Sequence, residues 1–296
     1  MTHTKKSFLY SLFGLLAALT AWPLMELLAQ FQTIFPSMLL YSLASGALLG
    51  CIFGLIIGSG EGIVTAIRPR VIKGALTGAV LGIAGGLLGF LLGQAVVLLL
   101  SNSVFTSNED IRRWSVPVSR AIGWSVIGIC VSLTEGIRAR SLQRSAMGII
   151  GGIVGGVAGA LVFEAARYLS EAVFIARLFG LAVMGLGIGL VFSLIERALA
   201  VGVLRILNGK LKAKEYVISS KRVRIGNSEK NDIILPGYAG VAPQHAHITL
   251  KQKGAVITPL QEDTPVFVNE QKQDSRKLKW EDVIKIGSAK FLFKTV

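Results

Sequence analysis

The chain has 296 residues, of which 52% are hydrophobic and 16% charged, and its mean hydropathy of +0.62 excludes a purely soluble globular protein. The formal net charge of +14 points to an anionic partner, and beside long apolar segments it favours anionic lipid over nucleic acid. Two cysteines, Cys51 and Cys130, lie far apart in apolar segments, so neither a disulfide framework nor a metal cluster is expected.

Apolar segments dominate residues 8–204. A membrane-spanning helix needs about 20 mostly apolar residues, and six segments qualify: 8–29, 38–60, 72–100, 116–136, 146–166 and 178–203. Lys5 and Lys6 precede the first segment as in a signal peptide, but no clear cleavage site comes before Trp22 and Pro23. We therefore expect an uncleaved first span and a polytopic helical membrane domain over residues 1–205.

The distribution of basic residues predicts the orientation of these spans, because cytoplasmic loops carry more Lys and Arg. Six spans place both termini on one side. Thirteen basic residues lie on that side: Lys5, Lys6, Arg68, Arg70, Lys73, Arg138, Arg140, Arg144, Arg197, Arg205, Lys210, Lys212 and Lys214. At most five lie opposite: Arg112, Arg113, Arg120, Arg167 and Arg177. Both termini are therefore predicted to be cytoplasmic.

The membrane region contains an internal repeat. Residues 54–87 align with residues 128–161 at a constant offset of 74 without a gap, and twelve of the 34 positions are identical, among them Gly54/Gly128 and Glu61/Glu135. Gly189 and Glu196 keep the same seven-residue interval and indicate a third, partial copy. Both full copies start from the same side, so the repeat is parallel and not of the inverted kind common in transporters.

Glycine recurs every four residues in spans three and five. This spacing places the glycines on one helix face, where a neighbouring backbone can approach closely in lipid. We predict that these rows are helix-packing surfaces, and a glycine-lined pore is the alternative. The rows comprise Gly74, Gly78, Gly82 and Gly86, and Gly148, Gly152 and Gly156, with Ala160 completing the second row.

Carboxylates at the ends of spans two, four and six have two interpretations. Glu61, Glu135 and Glu196 could mark an ion route, but nearby cations such as Arg138 and Arg197 favour interfacial ion pairs. Glu164 in span five aligns with Phe90 and is therefore not part of the repeat.

After a basic linker at residues 206–214, residues 215–296 consist of short β-branched runs separated by turn residues, which predicts a small all-β sandwich. The stretch RIGNSEKNDIILPGYAGVAPQHAHITL resembles the forkhead-associated (FHA) signature. The matching residues, in order, are Gly226, Ser228, Asn231, Asp232, Ile233, Leu235, Val241, His245, Ala246 and Ile248, followed later by Val268 and Asn269.

The resemblance implies an eleven-stranded β-sandwich whose loops grip phosphothreonine peptides through Arg, Ser and Asn side chains. This sequence has Asn227, Ala242 and Thr264 at those three positions, so only the weaker donors Asn227, Ser228 and Thr264 remain. The resemblance assigns structural roles to Gly226 and His245. Candidate contacts to a partner or phosphopeptide are Arg222, Arg224, Asn227, Ser228, Asn231, Ala242, Gln244, Thr264 and Asn269.

We therefore expect a multi-domain membrane protein of bacterial inner-membrane type, in which a glycine-packed helical bundle anchors a cytoplasmic FHA-like domain. That domain is expected to recruit a protein partner, for which an acidic and a phosphorylated protein are the candidates, with weak or lost phosphothreonine dependence. Membrane lipids are expected partners, and nucleic acid is not. The alternative is a channel or transporter regulated by the FHA-like domain. No nucleophile-base pair, metal set, phosphate loop or cofactor motif is apparent, so no enzymatic activity is expected.

Overall fold

The computed structural model describes residues 3–65, 68–101, 109–139, 142–170, 172–198, 200–218, 221–251 and 254–295. The chain divides into two compact units, a helical unit over Lys6–Leu194 and a second unit that contains all the described strands. Each unit is described by itself below.

Six long α-helices are present in the described part of the chain: α1 His3–Gln30, α2 Met38–Thr65, α3 Arg68–Ser101, α4 Glu109–Ala139, α5 Leu142–Leu169 and α6 Val173–Ala198, with a short 3-10 turn at Gln32–Ile34. Each helix is long and apolar enough to cross a membrane. The prediction of six spans is confirmed. The last helix ends at Ala198, earlier than the predicted 203, because a strand starts at Gly202.

Glycine rows bring the helices of the repeat together as two hairpins. A methyl group added to Gly78 would overlap the backbone of Gly54, and one added to Gly152 would overlap the backbone of Gly128. Only glycine permits such close backbone approach. In the first hairpin, Gly74, Gly78, Gly82 and Gly86 of α3 meet Gly58, Gly54, Gly50 and Gly46 of α2. In the second, Gly148, Gly152 and Gly156 of α5 meet Ser132, Gly128 and Ser125 of α4.

The first and last helices in the chain, α1 and α6, pack together in the same way, and we call this pair the third hairpin. Gly14 of α1 meets Gly185 of α6, and Gly189 of α6 meets the backbone of Tyr10. Gly189 aligns with Gly54 in the repeat, so α6 corresponds to α2 and α4, while α1 takes the place of α3 and α5. The partial third copy is therefore completed by α1, from the opposite end of the helical region.

Bulky side chains fill the interior of the helical unit. Phe53, Ile127 and Ile188 occupy equivalent positions in the three copies, and all three are buried in one apolar cluster that draws on α1, α2, α4, α5 and α6. The helical unit thus combines glycine-lined seams between helices with a filled core.

Charged residues at one end of the helical unit form a network between the two full copies. Arg138 lies 3.6 Å from Glu135 and 3.9 Å from Glu61, and Arg144 of the second copy lies 3.9 Å from Glu61 of the first. These contacts fit the expectation of interfacial ion pairs. The side chain of Glu196, which we also expected to be paired, lies outside the described residues.

Glu164 and Arg120 form an ion pair near the opposite end of the spans, and Glu164 also lies 3.6 Å from Arg167. The Arg120 guanidinium stacks over the Phe163 ring at 3.9 Å. Glu164, which has no counterpart in the first copy, is therefore used to compensate a nearby arginine.

The second unit is a β-sandwich, referred to below as the β-domain. Its described strands are β1 Gly202–Ile206, β2 Glu215–Ile218, β3 Arg222–Gly226, β4 Ile233–Ile234, β5 Ala246–Lys251, β6 Gly254–Pro259, β7 Val266–Val268, β8 Gln271–Gln273, β9 Arg276–Lys277, β10 Val283–Ile286 and β11 Ala289–Thr295. One sheet has the order β2-β1-β11-β10-β7-β8, and the other has the order β4-β3-β5-β6-β9. The predicted all-β sandwich is confirmed.

The β-domain begins earlier than the boundary we placed at residue 215. Strand β1 pairs antiparallel with both β2 and β11, and Leu204 and Ile206 are fully buried in the core. Residues 206–214, expected to be a linker, instead contain the end of β1 and the turn to β2. Because β1 is itself apolar, it continues the apolar run of span six. The start of the strand therefore cannot be recognised from hydropathy.

Alternating residues of the two sheets form the core of the β-domain. Its buried side chains include Ile225, Ile248, Ile284, Phe291 and Phe293, each at most 1% exposed. All members of this core lie between Leu204 and Phe293. The β-domain therefore closes its own core without side chains from the helical unit.

Candidate interaction site

The loops that the FHA resemblance singles out are tied together in the β-domain. They follow β3, β4 and β6. The backbone N–H of Asn227 donates to the carbonyl of Ala242 at 3.0 Å, and that of Ser228 donates to Pro243 at 3.1 Å. A methyl group on Gly226 would overlap the Pro243 carbonyl. Glycine at 226 thus lets the first two loops approach each other.

Asn231 holds these two loops from inside. It is 1% exposed, and its side-chain amide donates to the carbonyls of Ser228 at 3.1 Å and Pro243 at 2.5 Å. We had placed Asn231 among the candidate partner contacts. Its burial instead gives it a supporting role beneath the loop surface.

His245 connects the loop after β4 with the loop after β6. Its Nδ1 accepts a hydrogen bond from the Ala242 N–H at 3.2 Å, so Nε2 carries the proton and donates to the Pro265 carbonyl at 3.2 Å. Burial lowers the pKa of His245, and the bond to Pro265 opposes this only in part. The neutral ring therefore braces both loops, the role that the resemblance assigned to it.

The hydroxyl of Thr264 is engaged by backbone groups of the β-domain. Its side chain is buried, and its hydroxyl lies 2.9 Å from the Gln261 carbonyl and 3.2 Å from the His245 carbonyl, both acceptors for its one proton. It also accepts from the Gln261 N–H at 3.3 Å. The hydroxyl that we predict as a weak phosphate donor is thus hydrogen-bonded to the backbone of the domain.

Asn269 stabilises the β7–β8 turn, in which it and Glu270 both have positive φ. Its side-chain amide donates to the Asp282 carboxylate at 2.8 Å, and its carbonyl oxygen accepts from the Val283 N–H at 2.9 Å. Asn269 is therefore engaged within the domain, in contrast to its predicted role as a partner contact.

The two arginines of β3, both predicted as candidate partner contacts, lie on one side of their strand. Arg224 lies 3.6 Å from the Asp232 carboxylate, which also accepts its backbone N–H at 2.8 Å. Arg222 is exposed two residues earlier on the same side of the strand. Burial of His247 lowers the pKa of that residue most, and the positive charge of Arg222 lowers it further. Both arginines alternate with the buried Val223 and Ile225 and therefore lie on the outer surface of the sheet.

The exposed rim of the loops is neutral to acidic. Asn227, Pro243 and Gln244 are exposed and uncharged, and Ala242 and Ser228 are half-buried beside them. The surrounding charges are Glu229, Lys230, Glu262 and Asp263. Three acids against one lysine give the described residues of this rim a net negative charge.

A groove of about 500 Å³ runs from the loop after β6 to β8, and no sequence motif predicts it. Its polar lining includes Gln261, Glu262, Lys272, Gln273 and Asp274. The groove depends on the pairing of β7 with β8, which brings residues 272–274 beside the loop. Asn227 and Gln244 do not line it, so it extends the loop surface to one side.

The β-domain places the protein in the class of membrane-associated proteins that carry an FHA-type interaction module, since six helices capable of spanning a membrane precede an FHA-type sandwich. Residues 205–296 match the family model described as the inner membrane component of the type III secretion system, cytoplasmic domain. The C-terminal domain is thus an FHA-type domain, and such domains are interaction modules and not enzymes. The matched range excludes the helices.

Solved FHA domains are similar to this domain. One from Chlamydia trachomatis has 22% identity and a TM-score of 0.30, and the match covers 33% of this chain and 99% of that one. One from Arabidopsis thaliana has 23% identity and a TM-score of 0.31, covering 33% and 88%. The second FHA domain of a Mycobacterium tuberculosis ABC transporter has 29% identity and a TM-score of 0.23, covering 29% and 73%. No curated protein matches the chain.

Proposed function

We propose that this protein is a membrane-anchored recruitment protein whose FHA-type domain binds a protein partner through its loop surface without depending on phosphothreonine. The observation that carries this proposal is the loss of phosphate ligands. Asn227 and Ala242 replace two of them, and the hydroxyl of Thr264, at the third, is bonded to the loop backbone.

The electrostatics of the loop rim support the same proposal. Binding of a phosphate dianion requires a guanidinium fork or several free donors. Arg224 is paired with Asp232, and Glu229, Glu262 and Asp263 surround the rim. A partner that presents uncharged or basic side chains suits this surface better than a phosphorylated one.

The membrane anchor supplies the mechanism of recruitment. A module confined to the bilayer surface meets other membrane-bound partners at a raised effective concentration, so a modest affinity suffices. We place both termini and the β-domain in the cytoplasm, on the strength of the thirteen basic residues on that side.

The filled helical core favours an anchor over the alternative of a channel or transporter. Phe53, Ile127 and Ile188 occupy the interior, and the glycine rows face neighbouring helices, where a pore would need them to face water. The carboxylates Glu61 and Glu135 have arginine neighbours that compensate their charge. Flux assays on reconstituted protein, comparing wild type with Glu61→Gln and Glu135→Gln, test this preference; carboxylate-dependent flux would contradict it.

Phosphate dependence is tested by calorimetry of the isolated β-domain with a degenerate nine-residue peptide library, phosphorylated or unphosphorylated at a central threonine. We expect no preference for the phosphorylated library in the wild type. The matched variant is Asn227→Arg combined with Ala242→Ser, both at positions that are not fully buried. We expect this variant to gain a preference for phosphothreonine, and a strong preference already in the wild type would contradict the proposal.

A further inference from the structure

The outer face of the six-stranded sheet carries a row of residues aligned across four strands. The strand register pairs Lys290 with Lys285, Lys285 with Phe267, and Phe267 with Lys272. All three lysines are exposed and Phe267 is half-buried. The Lys285 ammonium lies 5.8 Å from the centroid of the Phe267 ring, within range of a cation–π contact.

A second row next to the first adds apolar residues and further cations. Arg205 pairs in register with Leu292, and Leu292 with Val283, while Lys294 lies two residues beyond Leu292. Leu292, Val283 and Lys294 are partly exposed. Among the described residues of these rows the one acid is Glu215, opposite Arg205. We call the surface formed by Lys272, Lys285, Lys290, Lys294, Arg205, Phe267, Val283 and Leu292 the lysine face.

The outer face of the other sheet is also basic but lacks this combination. Arg222 and Lys277 are exposed there, and they stand in register with Thr249 and Val256 across the sheet. Arg224 on the same face is paired with Asp232. At its described positions this second face has no aromatic residue among the cations, which makes it a matched control.

We propose that the lysine face binds the anionic headgroups of membrane phospholipids. Ammonium groups bind phosphate oxygens, while half-exposed aromatic and aliphatic side chains settle at the boundary of the acyl chains. Five cations around Phe267, Val283 and Leu292 fit that layered surface.

The chain connection supports lipid as the occupant of this face. Only residues 199–201 separate the end of α6 from β1, and three residues extend at most about 11 Å. Strand β1 belongs to the sheet that carries the lysine face. A bilayer containing anionic lipid is therefore the anionic surface that this domain meets at the highest local concentration.

The test uses the isolated β-domain, residues 200–296, which closes its own core, and co-sedimentation with vesicles. Vesicles of phosphatidylcholine are compared with vesicles containing about one third phosphatidylglycerol. We expect binding to the anionic vesicles alone. The combined changes Lys272→Glu, Lys285→Glu and Lys290→Glu should weaken this binding by about a hundredfold, because each lysine near the surface contributes about fivefold.

The matched control reverses three exposed cations elsewhere, Lys221→Glu, Arg222→Glu and Lys277→Glu, with the same change in net charge. We expect this control to weaken binding less than tenfold. Equal losses in the two variants would reduce the effect to net charge and overturn the proposal. Circular dichroism verifies that both variants are folded, and Phe267→Ser, which leaves the charge unchanged, should weaken binding severalfold.

A second arm uses the full chain in nanodiscs. Hydrogen exchange in β10 and β11 should slow in discs with phosphatidylglycerol relative to phosphatidylcholine alone. Failure of the wild-type domain to bind anionic vesicles would overturn the proposal, as would binding of polyglutamate without binding of vesicles, since the face would then be a site for an acidic protein. No residue of the loop rim belongs to the lysine face, although Lys272 also lines the groove beside the rim. Vesicle binding by the lysine face is therefore measured separately from partner binding by the loops.

Discussion

The helical unit and the β-domain bring their secondary-structure elements into contact through opposite kinds of residue. Helices meet where side chains are missing, as at Gly54 and Gly78, whereas the sheets meet through large side chains such as Phe291 and Phe293. In water, burial of an apolar side chain stabilises the folded state. Lipid is itself apolar, so there close packing of helix backbones stabilises the fold instead. The same apolar side chain therefore contributes a different amount to the free energy of unfolding in each of the two units.

The largest expected effect compares two fully buried phenylalanines. Phe291→Ala in the β-domain should lower the free energy of unfolding by about 3–5 kcal/mol, since it loses both the transfer free energy and the packing of the ring. Phe53→Ala in the helical unit should cost about 1–3 kcal/mol, because mainly the packing is lost. Urea unfolding of the isolated domain, followed by Trp280 fluorescence, and denaturant titration of the full chain in bicelles measure the two; equal losses would break the comparison.

The next effect concerns the glycine seams. Gly78→Val should lower the free energy of unfolding of the helical unit by about 3 kcal/mol, since the new side chain overlaps the backbone of Gly54. Gly152→Val, at the equivalent position of the second copy, should cost a similar amount. Thermal unfolding in detergent tests both changes. The control is Val80→Ile on the exposed side of α3, which should be nearly neutral.

A smaller effect is expected at Thr264. Thr264→Val keeps the shape but removes the hydroxyl that bonds the loop backbone, and should lower the free energy of unfolding of the β-domain by about 1–2 kcal/mol. Thr264→Ser retains the hydroxyl and should cost clearly less. If valine were as stable as threonine in urea unfolding, the hydroxyl would not hold the loop as described.

The smallest expected effect is on pH dependence. The pKa of His245 lies below its ordinary value of about 6.5 in the folded domain, so the unfolded chain binds a proton more readily. Stability is therefore complete above about pH 6.5 and decreases as the pH falls below it. His247 acts in the same direction. Urea midpoints between pH 7.5 and 5 should show a shallower decline in His245→Gln, and a slope identical to wild type would refute this assignment.

Much of this architecture can be predicted from the sequence. Hydropathy locates the six spans because each is a continuous apolar run, and the FHA motif places the loops because Gly226, Asn231 and His245 keep their spacing. The start of the β-domain cannot be found this way, since GVLRI resembles the end of an apolar helix. The roles of Thr264 and Asn269 also cannot be predicted, because the sequence does not reveal whether a polar side chain bonds a ligand or its own loop.

The third hairpin has the least sequence signal. Only the repeat interval from Gly189 to Glu196 suggests a third copy, and α1 shares few residues with α3 and α5 beyond Gly14, which corresponds to Gly82. The pairing is recognised from the structure, in which the backbones of Gly14 and Gly185 are in close contact. Backbone geometry is thus retained in this hairpin after most side-chain identity has been lost.

That third hairpin has a consequence for synthesis of the protein. The hairpins α2–α3 and α4–α5 join neighbours in the chain and can assemble as soon as each pair enters the bilayer, but α1 is made first and its partner α6 last. During translation the packing surface of α1 around Gly14 must therefore remain without its partner helix until almost the whole helical region has been inserted. Because α6 directly precedes the β-domain in the chain, a chain interrupted before α6 lacks the helix that Gly14 of α1 packs against.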